Sequence, residues 1–366
     1  MPIYMDRHDV SEPVTAEDIA RIHQEDLKVQ GKFGCRGLTY WFDDKRKTAF
    51  CLIEAPDAKA IKEMHDFAHG QVPHEIIEVE TRVVESFLGR IEDPENKRNT
   101  ELNIIDEPAF RTIVVICLNQ IKSENSLSPD FTSSFKSFNT GLQKILRSCN
   151  GSIVRQTDYY YLVSFTSVTN AVHAAMEVQL LNRDFNRNKH VKFALKIGVN
   201  SGVPVTRRQM IFEDTIKLAE RMCRVLKGDV ILSAEVRDLY KNESADNLIE
   251  NKNVLVLTRS DEKFLTLLMD YTEHSWSDTG FNANSFVKRL GYSKSQLYRK
   301  MISLTGKSPL SFVLDYRLEE AQKLLGKNTG NISEIAFASG FSSPSYFTKC
   351  FKKKFGVLPA AILKTP

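Results

Sequence analysis

The sequence predicts a multidomain fold, α/β over its front and middle and all-α at its end: a ferredoxin-like α+β sandwich, a second α/β domain and a C-terminal double helix-turn-helix. Three observations carry this. Strand-like and helix-like runs follow one another in βαββαβ order at the start of the chain, and a second α/β alternation follows a charged, Pro-containing stretch. Near the C-terminus a helix, a glycine turn and a second helix occur twice. A length of 366 residues allows two or three domains, and 42% hydrophobic residues is ordinary for globular protein.

The first domain, 1–82, reads PIYMDRH, TAEDIARIHQEDLKVQ, RGLTYWF, TAFCLIEA, DAKAIKEMHDFAH and EIIEVE, with Thr15 and Asp18 as a capping pair for its first helix. Five of the eight histidines, His8, His23, His65, His69 and His74, fall here. His65 and His69 are four apart on a helix, so both rings can project from one face toward a shared metal. Each of these rings can equally serve as an ordinary hydrogen-bonding group. Chemistry and location nominate His8, His23, His65 and His69 as metal ligands, and imidazole suits Ni²⁺, Zn²⁺ and Cu²⁺ alike. The phrases MPIYMDRHDV, LTYWFDDKRKTAFCLIEAPDA and HEIIEVE resemble a family of small bacterial ferredoxin-like proteins described as nickel-binding or nickel-responsive. That resemblance makes nickel the first metal to expect.

Residues 83–107, charged and Pro-containing, read as a linker. The middle domain, 108–245, runs from TIVVICL through a helix around SFKSFNTGLQKILRSC, strands SIVRQ and YYLVSF, helix AVHAAMEVQLLNRDF and strand FALKIGVNSG to helix DTIKLAERMCRVL. KIGVNSGVPV, EDTIKLAERM and NGSIVRQTDYYYLVSF resemble runs of class III nucleotidyl cyclases. Those enzymes hold two divalent ions with two aspartates, because the ions activate the attacking hydroxyl and neutralise phosphate charge. By the resemblance the first aspartate position is Cys117 and the second falls on Tyr159, beside Asp158. The family's asparagine becomes Lys217, and its arginine is kept as Arg221. Two-metal catalysis then has no evident site, so the expectation is a degenerate, cyclase-like domain without enzyme activity. It can bind nucleotide through Lys217 and Arg221 or serve as a dimer interface, and both residues can equally be solvated surface charges.

The last domain, 262–366, holds the repeated unit. In ANSFVKRLGYSKSQLYRKMISLT a helix ends at Leu290, Gly291 turns the chain, Ser293 caps, and Leu297, Met301 and Leu304 form one apolar stripe. In SEIAFASGFSSPSYFTKCFKKKFG the same roles fall to Gly340, Ser343 with Pro344, and Phe347, Cys350, Phe351 and Phe355. SPLSFVLDYRLEEAQKLL joins them as a helix with Phe312, Leu318, Ala321 and Leu325 on its buried face. YRLEEAQKLL and ISEIAFASGFSSPSYFTKCFKKKFGVLP closely resemble the DNA-binding domain of AraC/XylS-type transcription regulators, save for Lys364, where that family ends on arginine. The resemblance places base readers at Ser295, Gln296, Tyr298 and Arg299 and at Ser345, Thr348 and Lys349. Arg299 suits guanine and Gln296 adenine in bidentate pairs, while Lys300, Lys352, Lys353 and Lys354 suit phosphates.

Charge agrees with that placement. Residues 262–366 carry 15 Lys and Arg against 8 Asp and Glu, +7, while the whole chain is +4. Six cysteines without a CxxC pair, no secretory signal and no apolar run of membrane-spanning length point to a reduced cytoplasm and no membrane. The expected protein is an AraC-type regulator of double-stranded DNA, homodimeric, responding to a metal or small-molecule effector. The alternatives are a nucleotidyl cyclase with atypical metal ligands on a DNA-binding tail, and a metal-binding stress protein.

Overall fold

The structure, a computed structural model, describes residues 1–95, 102–121, 129–188, 192–244 and 253–363. The chain forms two compact units, residues 1–224 with 228–257, and residues 225–227 with 258–366. The expected terminal departure, Lys364, lies outside the described residues.

The first unit begins with β1 (Ile3–Asp9), α1 (Ala16–Val29), β2 (Arg36–Asp43), β3 (Thr48–Glu54), α2 (Ala58–His69) and β4 (Glu75–Val79). They form a ferredoxin-like sandwich with an antiparallel sheet in the order β2-β3-β1-β4. Thr15 caps α1 through a capping box with Asp18, and Asp57 caps α2. Tyr40, Trp41 and Phe42 are consecutive on β2 and all fully buried, so this sheet is covered on both faces. A sandwich with one wet face would have alternated.

The second cover explains why the linker expectation fails. Thr81–Leu88 is a helix, α3, whose Val84, Phe87 and Leu88 are buried. Arg111 is buried and donates to the carbonyls of Phe87 (3.1 Å) and Leu88 (3.2 Å), which ends α3 on a cation as the helix dipole favours. Farther on, Arg90 stacks over Trp41, with 4.4 Å to the ring centroid, and donates to the carbonyl of Tyr40 at 2.6 Å. The Tyr40 hydroxyl donates to the carbonyl of Asn103 and accepts from Ile105 N, both at 2.9 Å. Acidic and basic residues around it hid this packed segment in the sequence.

β5 (Arg111–Ile121), α4 (Pro129–Ser148), β6 (Ser152–Thr157), β7 (Tyr160–Phe165), α5 (Val168–Asn188), β8 (Lys192–Gly202), α6 (Glu213–Val225), β9 (Val230–Leu232), α7 (Ala234–Glu243) and β10 (Val254–Val256) follow, the sheet running β10-β9-β8-β5-β7-β6. Its β8-β5-β7-β6 part repeats the arrangement β4-β1-β3-β2 of the first sheet. β9 and β10 extend it in parallel, each reached through a helix as a parallel connection requires. Leu142, Val172 and Val178 of α4 and α5 pack on Val114, Ile116 and Val163. The opposite face, with Ile113, Val115 and Leu162, shares one core with α3, with Phe212 and Ala219, and with Met5, Trp41 and Leu52 of the first sheet. The front and middle domains are thus one body, not two joined by a tether.

The second unit is helical: α8 (Arg259–Ser275), α9 (Ala283–Leu290), α10 (Lys294–Thr305), α11 (Pro309–Gly326), α12 (Ile332–Ala338), α13 (Pro344–Phe355) and α14 (Pro359–Leu363). Ser293 and Ser343 cap α10 and α13 fifty residues apart. α11 carries Phe312, Val313 and Tyr316 in its first half, and Leu318, Ala321 and Leu325 in the core shared with α12 and α13. No described helix is long and apolar enough to cross a membrane.

Gly291 and Gly340 turn the two units with φ of 73° and 76°. Nothing lies within 4 Å of a Cβ built at Gly291, whereas one at Gly340 meets Arg317 Nε at 2.8 Å and the Trp276 carbonyl at 2.9 Å. Gly291→Ala carries only the conformational cost, of order 1–3 kcal/mol. Gly340→Ala must also displace the Arg317 guanidinium, which donates to the carbonyls of Trp276 (2.8 Å), Asp278 (2.6 Å) and Phe281 (3.2 Å). Urea melts of the two variants should show the larger loss for Gly340→Ala. Equal losses would mean that Arg317 yields at no cost.

Candidate metal centre and nucleic-acid interface

Strand and helix geometry gathers the N-terminal acids and histidines. Asp6 and His8, two apart on β1, share a face of the strand, and His65 and His69 share a face of α2. Asp26 stands one turn after His23 on α1. His65 is buried between two carboxylates, with Nε2 3.0 Å from Asp6 Oδ2 and Nδ1 3.1 Å from Asp26 Oδ1. His69 Nε2 lies 3.1 Å from the same Asp26 oxygen and 3.2 Å from His65 Nδ1. His8 Nε2 is 3.4 Å from Asp6 Oδ1, and the His8 and His65 rings meet edge to face at 5.0 Å.

Electrostatics follow from that arrangement. Burial alone would strip the His65 proton, but hydrogen bonds to Asp26 and Asp6 outweigh it and raise the imidazole to about 10. Burial likewise opposes ionisation of Asp6, yet the His8 imidazole nearby and the hydrogen bond with His65 hold it well below the usual carboxylate range. Asp26 is lowered against the same opposition by His65 and His69. Burial and the Asp6 charge push the Cys51 thiol far up.

Two groups of donors lie close enough to share an ion: Asp6, His8 and Cys51, and Asp26, His65 and His69, with donor atoms in each within 4.8 Å of one another. Ligands about 2.0–2.2 Å from one ion stand at most about 4.4 Å apart, so closure takes a movement of tenths of an ångström. His8, His23, Asp26, Cys51 and His65 also line a cavity of about 20 Å³. That is room for roughly one water-sized occupant. The buried His8 Nε2 and His23 Nε2 have no hydrogen-bond partner, an uncommon state for interior polar atoms. Carboxylates, imidazoles, a thiol and two unpartnered ring nitrogens fit a divalent transition metal.

The four predicted histidines therefore converge, with one difference. His23 belongs to neither group; its Nε2 lies 3.6 Å from Asp93 Oδ2 and its ring leans on Tyr40 at 4.9 Å. His74 stands apart, accepting from Asp9 N at 3.2 Å. Sequence reasoning missed Asp6, Asp26 and Cys51. Their signals were present: an acid two residues before His8 on a strand, an acid three after His23 on a helix, and a cysteine across the ladder from Asp6. Asp6 Oδ1 accepts from Cys51 N at 3.0 Å.

In the second unit the apolar stripes are buried and the opposite faces exposed. Ser295, Tyr298 and Arg299 on α10, and Ser345, Lys349 and Lys352 on α13, are exposed, as is Lys353. Four other residues are already engaged. Gln296 is exposed but completes the capping box, its Oε1 accepting from Ser293 N at 3.0 Å, so a bidentate pair with adenine requires the cap to open. Lys300 is drawn back into an ion pair with Asp261 and lies 5.8 Å from the Phe264 ring centroid, so a phosphate contact requires that pair to open. Lys354 pairs with Glu319 at 2.9 Å and Asp315 at 3.4 Å, with the same consequence. Thr348 is half-buried and its hydroxyl donates to the Pro344 carbonyl at 2.9 Å, so its methyl is the part that can meet a base. Tyr346, missed before, is 54% exposed between Ser345 and Lys349; it stood beside the Phe347 stripe, not in it.

Comparison with known proteins agrees with both ends of the chain. Residues 4–79 match the family described as nickel responsive protein SCO4226-like, and residues 286–365 match a helix-turn-helix domain family. Histidine kinase P4 of Formosa agariphila is 35% identical over 130 residues, which is 36% of this chain and 9% of the kinase. The uncharacterized HTH-type transcriptional regulator YidL of Escherichia coli is 33% identical over 106 residues, 29% of this chain and 34% of YidL. The chain thus spans a tenth and a third of these two relatives. Among solved structures, SCO4226 from Streptomyces coelicolor is 32% identical, with 21% of this chain and 94% of that chain covered and a TM-score of 0.20.

Proposed function

We propose that this chain, which carries a SCO4226-like domain at its front and an AraC-type helix-turn-helix domain at its end, is a sequence-selective DNA-binding transcription regulator that responds to a divalent transition metal. The observation that carries the DNA half is the repeated unit: two capped helices, each with its apolar stripe in a core and Ser295, Tyr298 and Arg299 or Ser345, Tyr346 and Lys349 turned outward. A short helix so mounted is suited to the major groove. The protein is read as a cytoplasmic homodimer without enzyme activity.

The metal half rests on the two donor groups around the small cavity. Asp26, His65 and His69 would hold one ion, and Asp6, His8 and Cys51 offer a second set. Nickel is the first metal to test, with zinc and copper as rivals for imidazole ligands. Bound metal would supply a fixed positive charge where His65 now carries a proton. His65 must release that proton to ligate, and Asp6 and Asp26 remain to balance the charge. Such a ligand shifts the regulator only by binding one arrangement of it more tightly than another.

Selection of genomic fragments by the full-length protein, in chelator and with added Ni²⁺, tests both halves. A discrete motif enriched to a metal-dependent extent supports the reading; no motif in either condition removes it. Once an operator is known, Arg299→Ala is expected to cost about 1–3 kcal/mol in binding and to relax selectivity at one base pair. Lys352→Ala should weaken all sequences alike and lower the salt slope by about 0.9. A uniform loss for Arg299→Ala in gel-shift titrations would move that residue to the phosphates.

A further inference from the structure

The middle domain holds a pair of cysteines that the regulator reading does not use. Cys117 lies on β5 and Cys223 on α6, on the sheet face that joins the shared core. Cys223 Sγ sits 3.3 Å from the Val115 carbonyl and 3.7 Å from the Lys196 carbonyl. Val115 is two residues before Cys117 on the same strand face, and Lys196 is the residue paired with Cys117 across the sheet. The Cys223 sulfur is thereby held over the position of Cys117. The approach is possible because residue 198 is glycine: a Cβ there would lie 2.4 Å from the Ala219 carbonyl and 3.1 Å from Cys223 Sγ.

The two thiols are not equivalent. Cys223 is fully enclosed, while Cys117 is only half-buried. The neighbouring Cys223 thiol holds the Cys117 thiol below the ordinary cysteine value against burial and the nearby Glu220 charge. Burial pushes Cys35, Cys51 and Cys149 the other way. Thiolate character and access together decide which cysteine a peroxide attacks.

We propose that Cys117 and Cys223 form an oxidation site at which a hydroperoxide converts the dithiol to a disulfide. Cys117 is the attacking sulfur and Cys223 the resolving one. The Cys117 thiolate attacks the peroxide oxygen, the O–O bond breaks, the alcohol or water leaves, and Cys117 becomes a sulfenic acid. Cys223 then attacks that sulfur, the S–S bond forms, and the departing hydroxide takes the thiol proton as water. The sulfur pair loses two electrons and the peroxide gains them. The product staples α6 to β5.

Full-length protein treated with hydrogen peroxide, alkylated and digested with trypsin reads this out. The expected product is the peptide 112–122 joined to the peptide 222–224, absent before oxidation and lost again with dithiothreitol. In Cys223→Ser the cross-link disappears and a Cys117 sulfenic acid reactive with dimedone accumulates. In Cys117→Ser neither product forms. Oxidation that leaves Cys117 as a free thiol, or carries it to sulfinic acid in the unsubstituted protein with no 112–122 to 222–224 link, overturns the proposal. Circular dichroism of both variants establishes that they are folded, and the dimedone readout on Cys223→Ser stands without the disulfide.

Discussion

Replacing His65 by Ala is expected to cost about 3–5 kcal/mol of folding stability, the scale for breaking a buried ion pair by removing one partner. The imidazolium is the cation between Asp6 and Asp26, and all three side chains are almost wholly excluded from water. Without it two carboxylates stay in the core with His8 and His69, each at the edge of the cluster, and the Cys51 backbone N–H on Asp6 as their remaining partners. The first unit contains Trp41 and the second Trp276, the only two tryptophans, so denaturant melts of Trp276→Phe protein follow the first unit alone. In that background His65→Ala should lower the transition by the stated amount, and adding Asp26→Asn should return part of it by removing a stranded charge. A loss below about 1 kcal/mol, typical of an exposed pair, would mean that water reaches these carboxylates.

The same cluster shows what was legible from sequence. The ferredoxin-like order, the Thr15–Asp18 capping pair and the shared face of His65 and His69 follow from strand and helix periods, which are local. Asp6, Asp26 and Cys51 matter because β1 pairs with β3 and α1 packs on α2, and no local pattern reports such pairings. α3 was hidden for a related reason: Val84, Phe87 and Leu88 make a good stripe, but the residues around them read as linker. The repeated helix pairs were more transparent, since each turns on a glycine and starts its second helix on a capping serine. Side-chain engagement was not. Lys300 and Lys354 looked like free phosphate contacts until Asp261 and Glu319 were found beside them, each 35 or more residues away in sequence.

Phe351→Ala is expected to remove the second DNA reader while leaving the first. Phe351 is fully buried in a small core, with eight buried residues among those described, between Phe347 and Phe355 at ring separations of 5.5 and 4.5 Å. Phenylalanine to alanine in such a place costs about 3–5 kcal/mol, which approaches the whole stability of a small domain. The core of the first half is built from other residues, Phe264, Phe286, Leu297, Met301 and Phe312 among them, so the loss should stay local. α13 would then lose the support that turns Ser345, Tyr346 and Lys349 outward. Footprints on an operator should lose protection over one half of the site and keep it over the other. Lys349→Ala, which removes one exposed side chain and no packing, should weaken binding without opening either half. If Phe351→Ala protects both halves as the unsubstituted protein does, α13 is held by α11 and α14 without its aromatic core. If it protects neither, the two readers fold as one unit, and α11 transmits the loss from Leu318, Ala321 and Leu325 to Phe312 and Tyr316.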